Sequence, residues 1–296
     1  MSAEQHATHP ESARAKKPRP YWHVDFKWIT GLLLTVVLGV WLLVLVAYQI
    51  TAPKPGIDIT TNLMSSAFTR EGQDDAKGLE ELRAKIAESP DKTFRPFPGM
   101  PVAITEKDLE LSPQQIRDKI FRQITEPLYY KGARGLAEEF TSDKAAQDKF
   151  VNDAGLISII SQERHRQLGD IAWKLGVVVL LLTAAVVYFS HRWGRLVTPG
   201  IILLLVSVPG LLIFSGLKQA ILSPAEQPTQ PTNEEDGAAF IQLMIANAKG
   251  AFAPAAEIGQ STYLLGLQIA LALLAAALIA KIVFVVIAKV RAKQTA

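Results

Sequence analysis

Residues 28–50 read WITGLLLTVVLGVWLLVLVAYQI, 23 residues without one charged side chain. At 1.5 Å per residue a helix of that length spans about 34 Å, and the hydrocarbon core of a bilayer is about 30 Å thick. Three further stretches meet the same test. Ile171–Ser190 is interrupted only by Lys174 near one end, and Leu196–Leu217 carries no charge. Thr262–Ala280 is followed, past Lys281, by apolar residues as far as Ala288. Polar residues do not recur every third or fourth position in these runs, so they are not the half-buried helices of a soluble protein. The expected architecture is all-α: a four-span transmembrane helix bundle with a mostly helical extracytoplasmic domain inserted between spans 1 and 2.

The first span reads as an anchor that stays in place. A signal-peptide core is typically about 7–15 residues, and the segment after Gln49 offers Ile50 and Pro53 where a cleavage site needs small residues.

Short basic segments set the orientation. The tail 1–27 holds Arg14, Lys16, Lys17, Arg19 and Lys27, the turn 191–195 has two arginines, and the far end carries Lys281, Lys289, Arg291 and Lys293. With four crossings these all fall on one side, giving a multi-pass protein of the plasma (inner) membrane with cytoplasmic N and C termini. The opposite loop, 218–261, holds Lys218 and Lys249 against Glu226, Glu234, Glu235, Asp236 and Glu257. Aromatic residues suit two interfacial belts, Trp22, Trp28, Tyr188 and Trp193 on one side and Tyr48, Trp173 and Tyr263 on the other.

Residues 51–170 are long enough for one small domain. Ala52-Pro53-Lys54-Pro55-Gly56 reads as a stiff exit from the first span. Leu79, Leu82 and Ile86 share a helix face opposite Glu81 and Lys85. Ser112-Pro113 is an N-cap with proline at N1, opening a helix whose stripe is Ile116, Ile120, Ile124 and Leu128. Val102-Ala103-Ile104 is the one weak strand candidate. Phe94-Arg95-Pro96-Phe97-Pro98-Gly99-Met100-Pro101 excludes a helix. It is either a docking loop presenting Phe94, Arg95 and Phe97 or a rigid crossover whose phenylalanines pack inward. A continuous helix is expected from about Leu156 to Ser190, with residues 155–170 as a stalk. Pro224, Pro228 and Pro231 mark an acidic linker. Ala238–Ala248 is expected as a separate apolar helix packed under the domain, before a fourth helix over 262–288 and a tail 289–296.

Chemistry is sparsely signalled. With no cysteine, thiol catalysis, disulfides and cysteine-ligated metals are excluded. The five histidines include no i,i+4 pair and none mid-membrane, so no haem, metal or other cofactor is expected. His165, inside Glu163-Arg164-His165-Arg166, reads as a solvated stalk residue. No Walker loop, Gly-x-Ser-x-Gly or His-Glu-x-x-His occurs, and Gly132-Ala133-Arg134-Gly135 is too short to cradle a phosphate. A net charge of +3 without a basic stripe excludes nucleic acid as a partner.

Within the spans, Ser207-Val208-Pro209-Gly210 is expected to kink the third helix, and Thr198-Pro199-Gly200 to form its cap and first turn. Small residues at four-residue spacing, Gly31, Thr35 and Gly39 on span 1 and Ala272, Ala276 and Ala280 on span 4, predict helix-packing faces that serve the bundle or a homo-oligomer. Gly266 and Ala270 form another such pair. The expected function is non-enzymatic: a lipid-embedded protein whose exported domain binds or scaffolds a protein partner, as an accessory subunit would. The alternatives are a small transporter or channel using the kinked third span and, more weakly, a hydrolase with carboxylates in the exported domain.

Overall fold

The computed structural model describes residues 22–67, 75–95, 102–153, 159–190, 194–222 and 236–294. Its architecture is all-α, and four of its helices are long and apolar enough to cross a membrane, as a multi-pass membrane protein requires. These are α1 (Trp22–Ile50), α6 (Gln162–Phe189), α7 (Gly194–Leu222) and α8 (Asp236–Gln294). Between α1 and α6 lie α2 (Pro53–Ala67), α3 (Asp75–Glu88), the two-residue strands β1 (Thr93–Phe94) and β2 (Ile104–Thr105), α4 (Pro113–Phe140) and α5 (Lys144–Asp153).

The long helices pack chiefly as two antiparallel pairs, α1 on α6 and α7 on α8, with α7 also lying against α1. Bilayer tails are as apolar as leucine, so close backbone approach must supply the contact energy between spans. Glycines provide it here. On α6, Gly169 and Gly176 sit under Tyr48 and Trp41 of α1, where a methyl group would lie 3.0 and 3.3 Å from the two rings. The Trp41 indole N–H also donates to the Ala172 carbonyl at 2.8 Å. On α7 and α8 the fit is tighter. A methyl on Gly210 would come within 2.1 Å of the Tyr263 ring, and one on Gly259 within 2.2 Å of Phe214. Those two rings stack on each other with centroids 5.6 Å apart.

Several expectations about the spans change. Tyr263 is not an interfacial anchor; it is buried against Gly210, Leu42 and Val46. Trp28, Trp173 and Tyr188 do face outward, each about three-quarters exposed, as belt residues should. Helix α7 starts at Gly194, so Pro199 lies inside it rather than in a first turn, and the helix runs on through Pro209 without a break. The apolar stretch 238–248 is not a separate helix, because α8 is continuous from Asp236 to Gln294 and takes Pro254 in stride. Helix α6 begins at Gln162, later than expected: the Ser161 hydroxyl caps it by accepting from the Arg164 amide at 3.4 Å. The stalk is correspondingly short, and Leu156 lies outside the described residues.

The segment between spans has its own core. Ser112 caps α4 as expected, and Gln115 completes a capping box with it; Ile116, Ile124 and Leu128 are buried along its inner stripe. Gly132 breaks α4 with φ 73° and ψ 173°, a conformation that side chains disfavour. The turn lets Ala133 and Leu136 return to the cluster of Val102, Phe121, Ile124 and Leu128. The stiff exit after α1 proves to be the first turn of α2. Pro53 and Pro55 stand where helix amides have no intrahelical acceptor, so they cost nothing there. The strand candidate is partly realised, with Ile104 and Thr105 pairing antiparallel with Phe94 and Thr93.

Asp108 closes the turn after β2. Its carboxylate accepts from the Thr105 amide and hydroxyl, both at 2.9 Å, and from Lys119. Burial pushes its pKa up, but the Lys119 and Thr105 bonds outweigh this and hold it below the usual carboxylate value. A lowered pKa means stability that is present above the unfolded value, near 3.9, and lost as pH falls through the folded one. Asp108→Asn is therefore expected to speed amide exchange over 105–120 about tenfold at pH 7, the worth of one charge-assisted hydrogen bond. The gap between variant and wild type should close below about pH 4.

Candidate functional site: the joint between the membrane helices and the inter-span segment

An α-helix leaves its last four carbonyls without intrahelical partners. Helix α1 ends at Ile50 close to α2, α4 and α6, and its terminal carbonyls are taken up partly by the following turn, where the Ala52 amide donates to the Gln49 carbonyl at 3.2 Å, and partly by those helices. The Ala47 carbonyl accepts from the Thr51 amide at 3.0 Å and its hydroxyl at 2.9 Å. The Tyr48 carbonyl lies 3.1 Å from His165 Nδ1 and accepts from the Thr51 hydroxyl at the same distance. A carbonyl only accepts, so the contact assigns the proton to Nδ1. Just past the end of α1, the Tyr129 hydroxyl of α4 donates to the Thr51 carbonyl at 2.7 Å. Helices α4 and α6 thus cap α1.

Ring packing reinforces the cap. The imidazole of His165 stacks on the Tyr48 ring, with centroids 4.3 Å apart and planes 12° from parallel. Burial, with smaller contributions from Tyr130 and Tyr48, raises the Tyr129 pKa above its ordinary value, so it stays a neutral donor. Gly56, on the first turn of α2, lets the chain pass under this cluster. A methyl there would stand 2.9 Å from Ile160 and 3.2 Å from the Tyr129 ring.

Helix α2 extends the joint into the segment. It lies between α4 and α8, and its buried face carries Ile57, Ile59, Thr60, Thr61 and Ser65. Hydroxyls on a buried face must find partners. Thr60 donates to the Gly56 carbonyl at 2.8 Å, and Thr61 meets Thr125 of α4 at 2.7 Å. At the rim Arg122 pairs with Asp58 at 3.1 Å.

His165 is therefore no solvated stalk residue but half-buried and engaged on two sides. Its neighbours in sequence are charged, which hid its role; the clue was its fixed distance from Ser161, a good N-cap, on the turn facing the membrane. Asp170 and Lys174 form an exposed i,i+4 pair at 2.6 Å.

The other candidate residues fall in different places. Phe94 is not presented for docking: it pairs in β1 and packs with Leu82, Leu109 and Leu111 around Ile86, Ile104 and Ile116. The Lys85 ammonium sits 5.5 Å above its ring. Arg95 is exposed, and Phe97 lies outside the described residues. Gly31 and Gly39 face Ile202 and Val206 of α7, and Thr35 donates back to the Gly31 carbonyl at 2.9 Å. On α8, Ala272 and Ala276 are exposed and Ala280 is half-buried. The buried small face of that helix is Ala256, Gly259, Gly266, Ala270 and Ala277. Pro209 and Gly210 lie within an unbroken helix, and Gly210 is the seat of the Tyr263 ring.

The chain matches no family model, no curated protein and no solved structure.

Proposed function

We propose that the chain is a non-enzymatic multi-pass protein of the plasma membrane. In this reading both termini are cytoplasmic, and residues 51–170 form an extracytoplasmic platform that holds a partner protein, as an accessory subunit of a membrane complex does. The observation that carries the reading is the capping of α1 by His165 and Tyr129. His165, Tyr129 and the Thr61–Thr125 pair connect one helix to another, which suits transmission of position between platform and membrane better than it suits chemistry. The transporter alternative would need an opening at Pro209–Gly210, and the Tyr263 ring fills that place.

Orientation is directly testable because the chain contains no cysteine. Single cysteines at exposed Glu126 and at Lys293, treated on intact cells with a membrane-impermeant maleimide, should label at 126 only. Labelling at 293 overturns the orientation. The platform reading is tested by mild-detergent extraction followed by native electrophoresis. The expected result is a discrete complex that cross-links through Tyr130, an exposed aromatic on α4. Migration as a lone monomer under every extraction condition overturns it.

A further inference from the structure

The spans enclose one feature that the joint does not use. A groove of about 510 Å³ runs between α1 and α8, floored by α7 and bounded at one edge by α6. That volume falls within the range of ligand sites, about 300–1,000 Å³. Its walls are apolar, and Leu265 and Ile269 on the α8 rim are about half-exposed, so it opens sideways into the bilayer. From Leu34 to Gln49 along α1 it runs about 22 Å, more than one leaflet and less than the whole hydrocarbon core.

Its polarity is lopsided. Among the described residues no charged side chain lines it. Thr183, deep in the groove, donates to the Val179 carbonyl of its own helix at 2.7 Å. The other polar residues, Gln49, Ser261 and Thr262, sit together at the end nearest the joint. There the Thr262 hydroxyl shares its proton between the Ile258 carbonyl of its own helix at 2.9 Å and Gln49 Oε1 at 3.1 Å, and the Ser261 hydroxyl donates to the same Ile258 carbonyl at 2.9 Å. This fixes the Gln49 amide with its oxygen used and its nitrogen making no hydrogen bond to the described residues. An uncharged donor at the interfacial end of an open apolar trough matches an ester carbonyl attached to a hydrocarbon chain. We propose that the groove binds one acyl chain of an ester-linked glycerolipid, its carbonyl accepting from Gln49 Nε2 and its tail lying along Leu38, Trp41 and Ile202.

Trp41 lines the groove and reports on it. The full chain with Trp22, Trp28, Trp173 and Trp193 replaced by phenylalanine is reconstituted in vesicles of ether-linked phosphatidylcholine containing a rising fraction of ester-linked phosphatidylcholine with mid-chain dibrominated acyl groups. The reference is the equivalent chain retaining only Trp28, which is 75% exposed and meets bulk lipid. Trp41 should be half-quenched at about one-fifth of the bromolipid fraction that Trp28 needs, the preference one neutral hydrogen bond supplies. Gln49→Leu, or an ether-linked bromolipid, should bring the Trp41 curve to that of Trp28. Ile269→Phe, which narrows the trough while leaving Gln49 and Thr262 intact, should make Trp41 harder to quench than Trp28. The proposal is overturned if Trp41 tracks Trp28 in the otherwise unaltered chain. It is equally overturned if the preference survives both substitutions.

Discussion

Gly210→Ala should destabilise the packed spans by about 3 kcal/mol, the upper part of the range for forcing extra volume into a filled interior. The added methyl would stand 2.1, 2.3 and 2.6 Å from three carbons of the Tyr263 ring, so the ring cannot remain where it is. Nor can it step aside cheaply. Tyr263 is 3% exposed, its other side stacks on Phe214, and Phe214 is itself seated in the notch of Gly259. The measurement is the thermal unfolding midpoint in detergent, read by loss of the monodisperse peak. Two controls locate the cause. Gly216, on the same helix, has nothing within 4 Å of where its methyl would go, so Gly216→Ala should be neutral or mildly stabilising. Tyr263→Ala removes the obstructing ring, and adding Gly210→Ala to it should cost little further, giving a coupling of 2 kcal/mol or so between directly touching residues. Equal damage from Gly210→Ala and Gly216→Ala would show that helix propensity, not the notch, is responsible.

The four crossings were legible in the sequence because length and apolarity are properties of a run of residues. Which faces meet was legible only in part, because that depends on shape. Gly210 stood beside a proline and so read as part of a kink; the Tyr263 ring seated on it was not readable, because Tyr263 is distant in the chain. Ala272 and Ala276 had the right spacing for a contact stripe, yet every third to fourth residue of an alanine-rich helix has it. The face actually used is the one on which Gly259 and Gly266 make room for Phe214 and Ser207. In the inter-span segment, Ser112 and the isoleucine stripe of α4 could be read directly, since a cap and a helical period are local. Helix α2 could not. Its prolines suggested a stiff exit, and nothing local in its threonines pointed to the contact of Thr61 with Thr125. The joint was invisible for the same reason: Tyr48, Thr51, Tyr129 and His165 are unremarkable alone and acquire a role only from the carbonyls they share.

The joint leads to the second large effect. Tyr129→Phe keeps the ring but leaves the Thr51 carbonyl without its donor, at a cost of about 1–1.5 kcal/mol for a buried acceptor. His165→Ala removes both the bond to the Tyr48 carbonyl and the stacked ring, together about 1.5–2 kcal/mol. The double variant should lose about 3 kcal/mol, the two costs together. The loss should be local. The contacts of Trp41 with α6 and of Gly39 with α7 lie two turns and more below the joint and are untouched. The protein should therefore stay inserted and extractable, while amides over 51–57 exchange about a hundredfold faster, the ratio that some 3 kcal/mol of local opening produces. His165→Gln, which can still place an amide N–H near the Tyr48 carbonyl, should recover part of the protection. If 51–57 stay protected in the double variant, α1 is capped by its own turn and not by α4 and α6. If protection is lost while a cross-linked partner is still held, the platform works without its rigid connection. A rigid connection that matters predicts the third outcome, loss of protection and of the partner together, because a helix end that opens no longer fixes where the platform stands.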